Sequence, residues 1–167
     1  ELRLPEGDGP FPVAIVLHGG CWLAEYDLGH VSSLAAALAD ADIATWSLEY
    51  RRVGDDGGGW PGSFTDVAAG ADHLRVLADR FPLDLERVVA LGHSAGGHLA
   101  LWLAARHRLA PGSPVTTGEP LTLLGVVGLA PIADLAAYAS ESGCGAAVPD
   151  LLGGRPAAVP ERVRLAS

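Results

Sequence analysis

Apolar runs of strand length alternate along the chain with segments whose apolar side chains recur at helical spacing. Residues 12–17 are continuously apolar, as suits a strand buried on both faces of a parallel sheet, and they run into His18-Gly19-Gly20-Cys21-Trp22. Residues 28–41 carry Val31, Leu34, Ala35 and Leu38 on a helical stripe, and a second strand is predicted over 43–50. After a loop over 51–62 comes a helix over 65–81, with Val67, Ala71, Leu74, Ala78 and Phe81 on its apolar face and Ser63 or Thr65 as its N-cap. Asp66, Asp72, Arg75, Asp79 and Arg80 fall on its solvated side. Residues 82–87 turn back into the strand Val88-Val89-Ala90-Leu91. This strand passes through Gly92-His93-Ser94-Ala95-Gly96 into a helix over 97–108, apolar almost all round and therefore expected to be central. A loop over 110–120, a strand over 121–129 and a short helix over 135–139 follow. Residues 1–5 alternate like the tail of a strand, and 143–167 are rich in Gly, Pro and Ala with too little periodicity to predict an element.

Strands alternating with helices imply an α/β fold, a parallel sheet with helices on both faces. Ligands of such sheets sit at the carboxyl ends of the strands. His18-Gly19-Gly20 and Ser94 both lie just past such ends, so they are expected to meet although about 75 residues separate them. With no repeat, low-complexity tract or internal boundary, residues 1–167 read as one domain.

Composition narrows the possibilities. With 49% hydrophobic and 19% charged residues the chain is globular. A net charge of −9 without a basic cluster argues against nucleic acid and anionic membrane surfaces as partners. No apolar run reaches membrane-spanning length. Two cysteines, Cys21 and Cys144, are too few for a disulfide framework and read as free thiols in a reducing, cytoplasmic setting, with Cys21 lining the pocket. The chain contains no methionine, so its natural start is expected to lie upstream.

Gly92-His93-Ser94-Ala95-Gly96 has the G-x-S-x-G spacing of a nucleophile elbow. A strand that turns at once into a helix holds the serine in a strained conformation with its hydroxyl exposed, and glycines two residues either side avoid a clash. Blander roles suit the other candidates. His18 shapes its loop, and His98 is a packed, hydrogen-bonded histidine. His93 and His98 lack a third ligand, so no metal is expected, and Gly57-Gly58-Gly59 lacks the Lys-Ser/Thr of a phosphate loop. Tyr50 and Trp60 wall an acyl pocket or pack in the core.

His18-Gly19-Gly20-Cys21-Trp22 with Gly92-His93-Ser94-Ala95-Gly96-Gly97-His98 resembles the α/β-hydrolase superfamily, and within it the esterase, kynurenine-formamidase and feruloyl-esterase-like group. Glu49-Tyr50-Arg51-Arg52, Trp60-Pro61 and Asp66-Val67 look like that group's intervening segment. The resemblance implies a serine hydrolase acting on a small-molecule carboxylic ester or aryl formamide (an ester or amide carbonyl) through an acyl-serine intermediate, without a cofactor. Ser94 would be the nucleophile, and the backbone N–H groups of Gly19, Gly20 and Ala95 the oxyanion hole. A prolyl-oligopeptidase-type peptidase and a non-catalytic binding protein of the same fold are the alternatives. The family order of Ser, then acid, then His is not completed: only His98 and His107 follow Ser94, and Asp134 comes one strand early. The chain is therefore expected to be a C-terminally truncated and inactive part of the fold. Its last strands and its triad Asp and His would be missing, residues 135–167 would form a cap-like segment, and an open sheet edge would be exposed.

Overall fold

Alternate side chains of a strand point to opposite faces, and in the central strand of this molecule both sets are buried. The computed structural model describes all 167 residues. Its sheet runs in the order β1-β3-β2-β4-β5, with β1 at Leu2–Arg3, β2 at Phe11–Leu17, β3 at Ala44–Leu48, β4 at Leu83–His93 and β5 at Gly125–Leu129. From β2, Val13, Ile15 and Leu17 point to one face. There they join Val88 and Ala90 of β4 against α2 (Gly62–Asp72) and α4 (Ala95–Ala105), represented by Phe64, Val67, Leu99 and Trp102. Ala14 and Val16 point the other way, with Val89 and Leu91, onto Val31, Leu34 and Leu38 at the start of and within α1 (Ser32–Ala39). The predicted α/β architecture with helices on both faces is thus formed.

β2, β3, β4 and β5 are parallel; β1 departs from the expectation by pairing antiparallel with β3. Only seven residues join β1 to β2, too short a connection for a parallel crossover. The helix predicted over 65–81 is two helices, α2 and α3 (Leu74–Ala78), which meet at His73. It also begins earlier than predicted, so neither Ser63 nor Thr65 caps it. Ser63 Oγ, already inside α2, accepts the Gly59 N–H at 3.0 Å and donates to the Arg51 carbonyl. β4 begins at Leu83, where a turn was expected, because Phe11 pairs with Leu83 before a bulge restores register at Val13–Val88. β5 is shorter than predicted. The Leu121 N–H is drawn at 2.8 Å to the Asp72 carboxylate instead of a neighbouring strand.

The weakly periodic end is helical after all. α5 (Leu135–Tyr138), a 3₁₀ turn (Gly143–Ala147), α6 (Val148–Leu152) and α7 (Pro160–Ala166) set Leu135, Val148, Leu151, Leu152 and Leu165 into the same core as Trp22 and Phe64. These helices are too short to persist on propensity, and burial holds them. β5 has one strand neighbour only, and Leu124 (72% exposed), Val127 (44%) and Leu129 (44%) leave apolar surface beside it. No helix is long and apolar enough to cross a membrane.

Candidate active site

Leu17 at the end of β2 pairs with Gly92 near the end of β4, so the two loops that follow emerge side by side. β4 passes into α4 through the single residue Ser94, with φ 53° and ψ −118°. Such a backbone costs a non-glycine residue about 1–3 kcal/mol and persists only where neighbours hold it. Here the Ser94 N–H donates to Leu129 O at 2.9 Å and its carbonyl accepts the His98 N–H at 3.0 Å. Close backbone approach explains the two flanking glycines. A Cβ on Gly92 would run into the Gly96 carbonyl, and one on Gly96 into the carbonyls of Leu17 and His18. The Ser94 side chain is half-buried at the apex of this turn. Ala95 opens α4, whose first-turn N–H groups have no partner within the helix.

The loop after β2 lies against this turn. A Cβ on Gly19 would stand 2.8 Å from His93 O and 3.5 Å from Ser94 Cβ, so any side chain there would fill the space over the serine. Neither the Gly19 nor the Gly20 N–H donates to a group in the chain. Gly20 (φ 110°), Cys21 (φ 55°) and Trp22 (φ 60°) are three consecutive residues in the left-handed region. For the two non-glycines this costs roughly 1–2 kcal/mol each. Bonds on the far side hold the loop: Leu23 N–H to Gly20 O at 2.9 Å and Val53 N–H to Trp22 O at 2.8 Å. The buried Trp22 indole donates to His98 Nδ1 at 3.2 Å.

The histidines take the places their sequence context suggested. His18 is buried, with Nδ1 2.8 Å from Gly19 O, Nε2 2.9 Å from Glu49 Oε1 and its ring stacked on Tyr50 at 4.5 Å. His98 Nδ1 accepts from Trp22, and Nε2, carrying the proton, donates to Ala166 O at 2.7 Å. Burial lowers its pKa to about 4, so it is neutral, with both nitrogens engaged away from Ser94. Tyr50 donates to His18 O at 2.9 Å and packs in the core; burial raises its pKa above the ordinary phenol value. Trp60 is half-buried edge-on against Phe64. The Asp134 carboxylate accepts the Ala137 N–H at 2.9 Å as the N-cap of α5. A cavity of about 430 Å³ between α4 and α7, lined by Trp102, Ile132 and Leu165 among others, does not include Ser94.

Two features escaped the sequence reading. Tyr26 and His30 gather beside the glycine loop and His93: Tyr26 covers Gly20, and His30 lies edge-on to His93 at 6.5 Å. Tyr26 lies in an irregular segment whose path no periodicity reveals, and His30 lies in a 3₁₀ turn (Leu28–Val31) at the head of the predicted helix, off its apolar stripe. The other is a correction. Cys21 and Cys144 are not free thiols but a disulfide, since the turn before α6 returns Cys144 to within 4.9 Å (Cα–Cα) of Cys21. This removes the ground for reading a reducing compartment from the cysteines.

Comparison with known proteins adds an independent line. The family model BD-FAE matches residues 1–167. Isoprenylcysteine alpha-carbonyl methylesterase ICME of Arabidopsis thaliana is 33% identical over 101 residues, a match covering 60% of this chain and 23% of that protein. Esterase B from Lactobacillus rhamnosis, solved with a C4-C4 SN3 tributyrin phosphonate, is similar in structure with a TM-score of 0.81 at 23% identity, covering 97% of this chain and 54% of its own. A truncated form of a carbohydrate esterase from gut microbiota gives a TM-score of 0.77 at 24% identity, covering 99% and 64%. At such identities the structural likeness establishes the fold, that of the α/β hydrolases. The chain spans less than a quarter of the ICME methylesterase, and little more than half of esterase B.

Proposed function

Because this chain belongs to the BD-FAE family, an esterase family of the α/β-hydrolase fold, we propose that its protein is a serine carboxylesterase working through an acyl-Ser94 intermediate. One observation carries the reading. Ser94 is held at positive φ on a strand–helix turn, against a glycine loop whose Gly19 and Gly20 N–H groups are unused within the chain. In this proposal Ser94 Oγ attacks the ester carbonyl carbon. The oxyanion collects N–H bonds from Gly19, Gly20 and Ala95, the alcohol departs, and water then hydrolyses the acyl-serine. A single such donor is worth about 3 kcal/mol in the transition state.

A base must take the Ser94 proton. His98 is unsuited, being neutral and bonded to Trp22 and Ala166, and His18 is bonded to Gly19 and Glu49. The acid and base are left to the full-length protein, and residues 135–167 are proposed as a cap-like part of the same domain. The substrate proposed is a small carboxylic ester. An aryl formamide is the second class, since its carbonyl would use the same donors. Esterase relatives favour this over a peptidase or a purely binding role.

Steady-state hydrolysis of short-chain nitrophenyl esters and an aryl formamide by the full-length protein tests the proposal. Ser94→Ala is expected to lower kcat at least ~10⁴-fold with folding intact. Undiminished hydrolysis in that variant would overturn it.

A further inference from the structure

The proposed oxyanion loop carries an anchor that takes no part in the acyl transfer itself. Cys21 is next to Gly20 and itself at φ 55°, yet neither its N–H nor its carbonyl takes part in a backbone hydrogen bond. The only bond between Cys21 and the rest of the fold is the disulfide to Cys144. The far end of that bond is rigid. Cys144 sits in the 3₁₀ turn leading into α6, whose Val148, Leu151 and Leu152 are fully buried. The adjacent Gly145 has its Cα packed so closely on Ser140 and Tyr138 that no side chain would fit. A second tether runs in parallel one residue on, from Trp22 through His98 to Ala166 O at the end of α7. Two consecutive left-handed residues are thus fastened by their side chains to the segment formed by residues 143–166. The immediately preceding residues, Gly19 and Gly20, point their N–H groups at nothing in the chain.

We propose that the Cys21–Cys144 disulfide positions the oxyanion loop, so that ester turnover responds to thiol reductants. With the bond intact, the left-handed path of residues 20–22 is fixed against residues 143–166, and the Gly19 and Gly20 N–H groups stay preorganised for the oxyanion. Both cysteines are half-buried residues. A dithiol transfers two electrons and two protons to the disulfide by exchange, leaving two cysteine thiols and its own cyclic disulfide. Released from Cys144, Cys21 is held only by the turn bond from Leu23 N–H to Gly20 O that closes around it, which leaves the start of the loop at Gly19 and Gly20 freer to shift. Donors that are merely displaced forfeit transition-state binding more than substrate binding, so kcat falls while KM changes little. The catalytic consequence rests on the oxyanion role proposed above; the mechanical tether does not.

The test uses the full-length protein, oxidised or treated with dithiothreitol, and Cys144→Ser, all well below their melting temperatures. Alkylation without reductant should leave Cys21 and Cys144 unmodified in the oxidised protein; full alkylation of both would overturn the proposal. Hydrogen exchange of the peptide spanning residues 19–22 should accelerate on reduction and in Cys144→Ser. The kcat for a nitrophenyl ester should fall about tenfold or more in both, with KM within about twofold, and Cys144→Ser should not respond further to dithiothreitol. A disulfide that only stabilises the fold would lower the melting temperature while leaving kcat and loop exchange unchanged, which would overturn the positioning role. If no form hydrolyses esters, the esterase reading fails, and the exchange measurement still decides whether the bond positions the loop.

Discussion

At the scale of single residues, the site is built by what its glycines lack and by what His98 is denied. Gly96 packs its Cα against the carbonyls of Leu17 and His18, so Gly96→Ala must move either α4 or the loop after β2. The expected loss is about 3 kcal/mol of stability, read by denaturant unfolding, with activity falling as well because the serine turn shifts. His98 yields a pH signature. Its imidazole takes a proton near pH 6.5 when unfolded but only near about 4 when folded, so between those values the unfolded state holds more protons. Its contribution is therefore complete above pH 6.5 and is lost as the pH falls towards 4, at up to about 1.4 kcal/mol per pH unit. His98→Gln keeps an acceptor for Trp22 and a donor for Ala166 without titrating. Melting temperatures between pH 6.5 and 5 should fall more steeply in the wild type than in that variant, and parallel slopes would contradict the assignment. The residues around Ser94 were legible because their chemistry demands particular types at particular spacings. The Cys21–Cys144 bond was not: 123 residues separate its ends, and no local pattern marks a pair that only the tertiary return of the chain creates.

At the scale of elements, long periodic segments were readable and short ones were not. β2 and α4 carry enough apolar residues to declare themselves, whereas α6 and α7 are five and seven residues long, set within a Gly-, Pro- and Ala-rich stretch, and their cohesion is tertiary. Their punctuation was present: Pro149 and Pro160 in first turns, and Gly153 as a left-handed C-cap. The late start of β5 has its cause at Asp72, the last residue of α2. Its carboxylate takes the guanidinium of Arg106, a side chain 3% exposed, together with the Leu121 N–H at 2.8 Å. This residue, assigned by pattern to a solvated face, thereby ties α2 to the end of α4 and to the chain entering β5. Asp72→Ala would leave a buried cation without its partner and should cost about 3–5 kcal/mol, measured by chemical denaturation. A loss below about 1 kcal/mol, the range of an exposed pair, would contradict that role.

At the scale of the molecule, sheet topology gathers the chemistry. Two parallel strands in the middle of the sheet end level, and the residues just after them, Gly19–Gly20 and Ser94, come together without any contact local in sequence. The strand–helix alternation foretold that meeting, but it could not show how the C-terminal segment closes over Trp22 and Cys21. That closure makes the far end of the chain part of the support for the proposed oxyanion loop. The central claim is that Ser94 is the nucleophile of a carboxylesterase, and covalent trapping tests it most directly. Full-length protein should be treated with a fluorophosphonate, digested and sequenced by mass spectrometry. A single phosphonyl adduct on Ser94, absent from Ser94→Ala and formed in step with the loss of ester hydrolysis, is the predicted result. An active protein whose Ser94 stays unmodified, or an adduct on another residue that tracks inactivation, would contradict it.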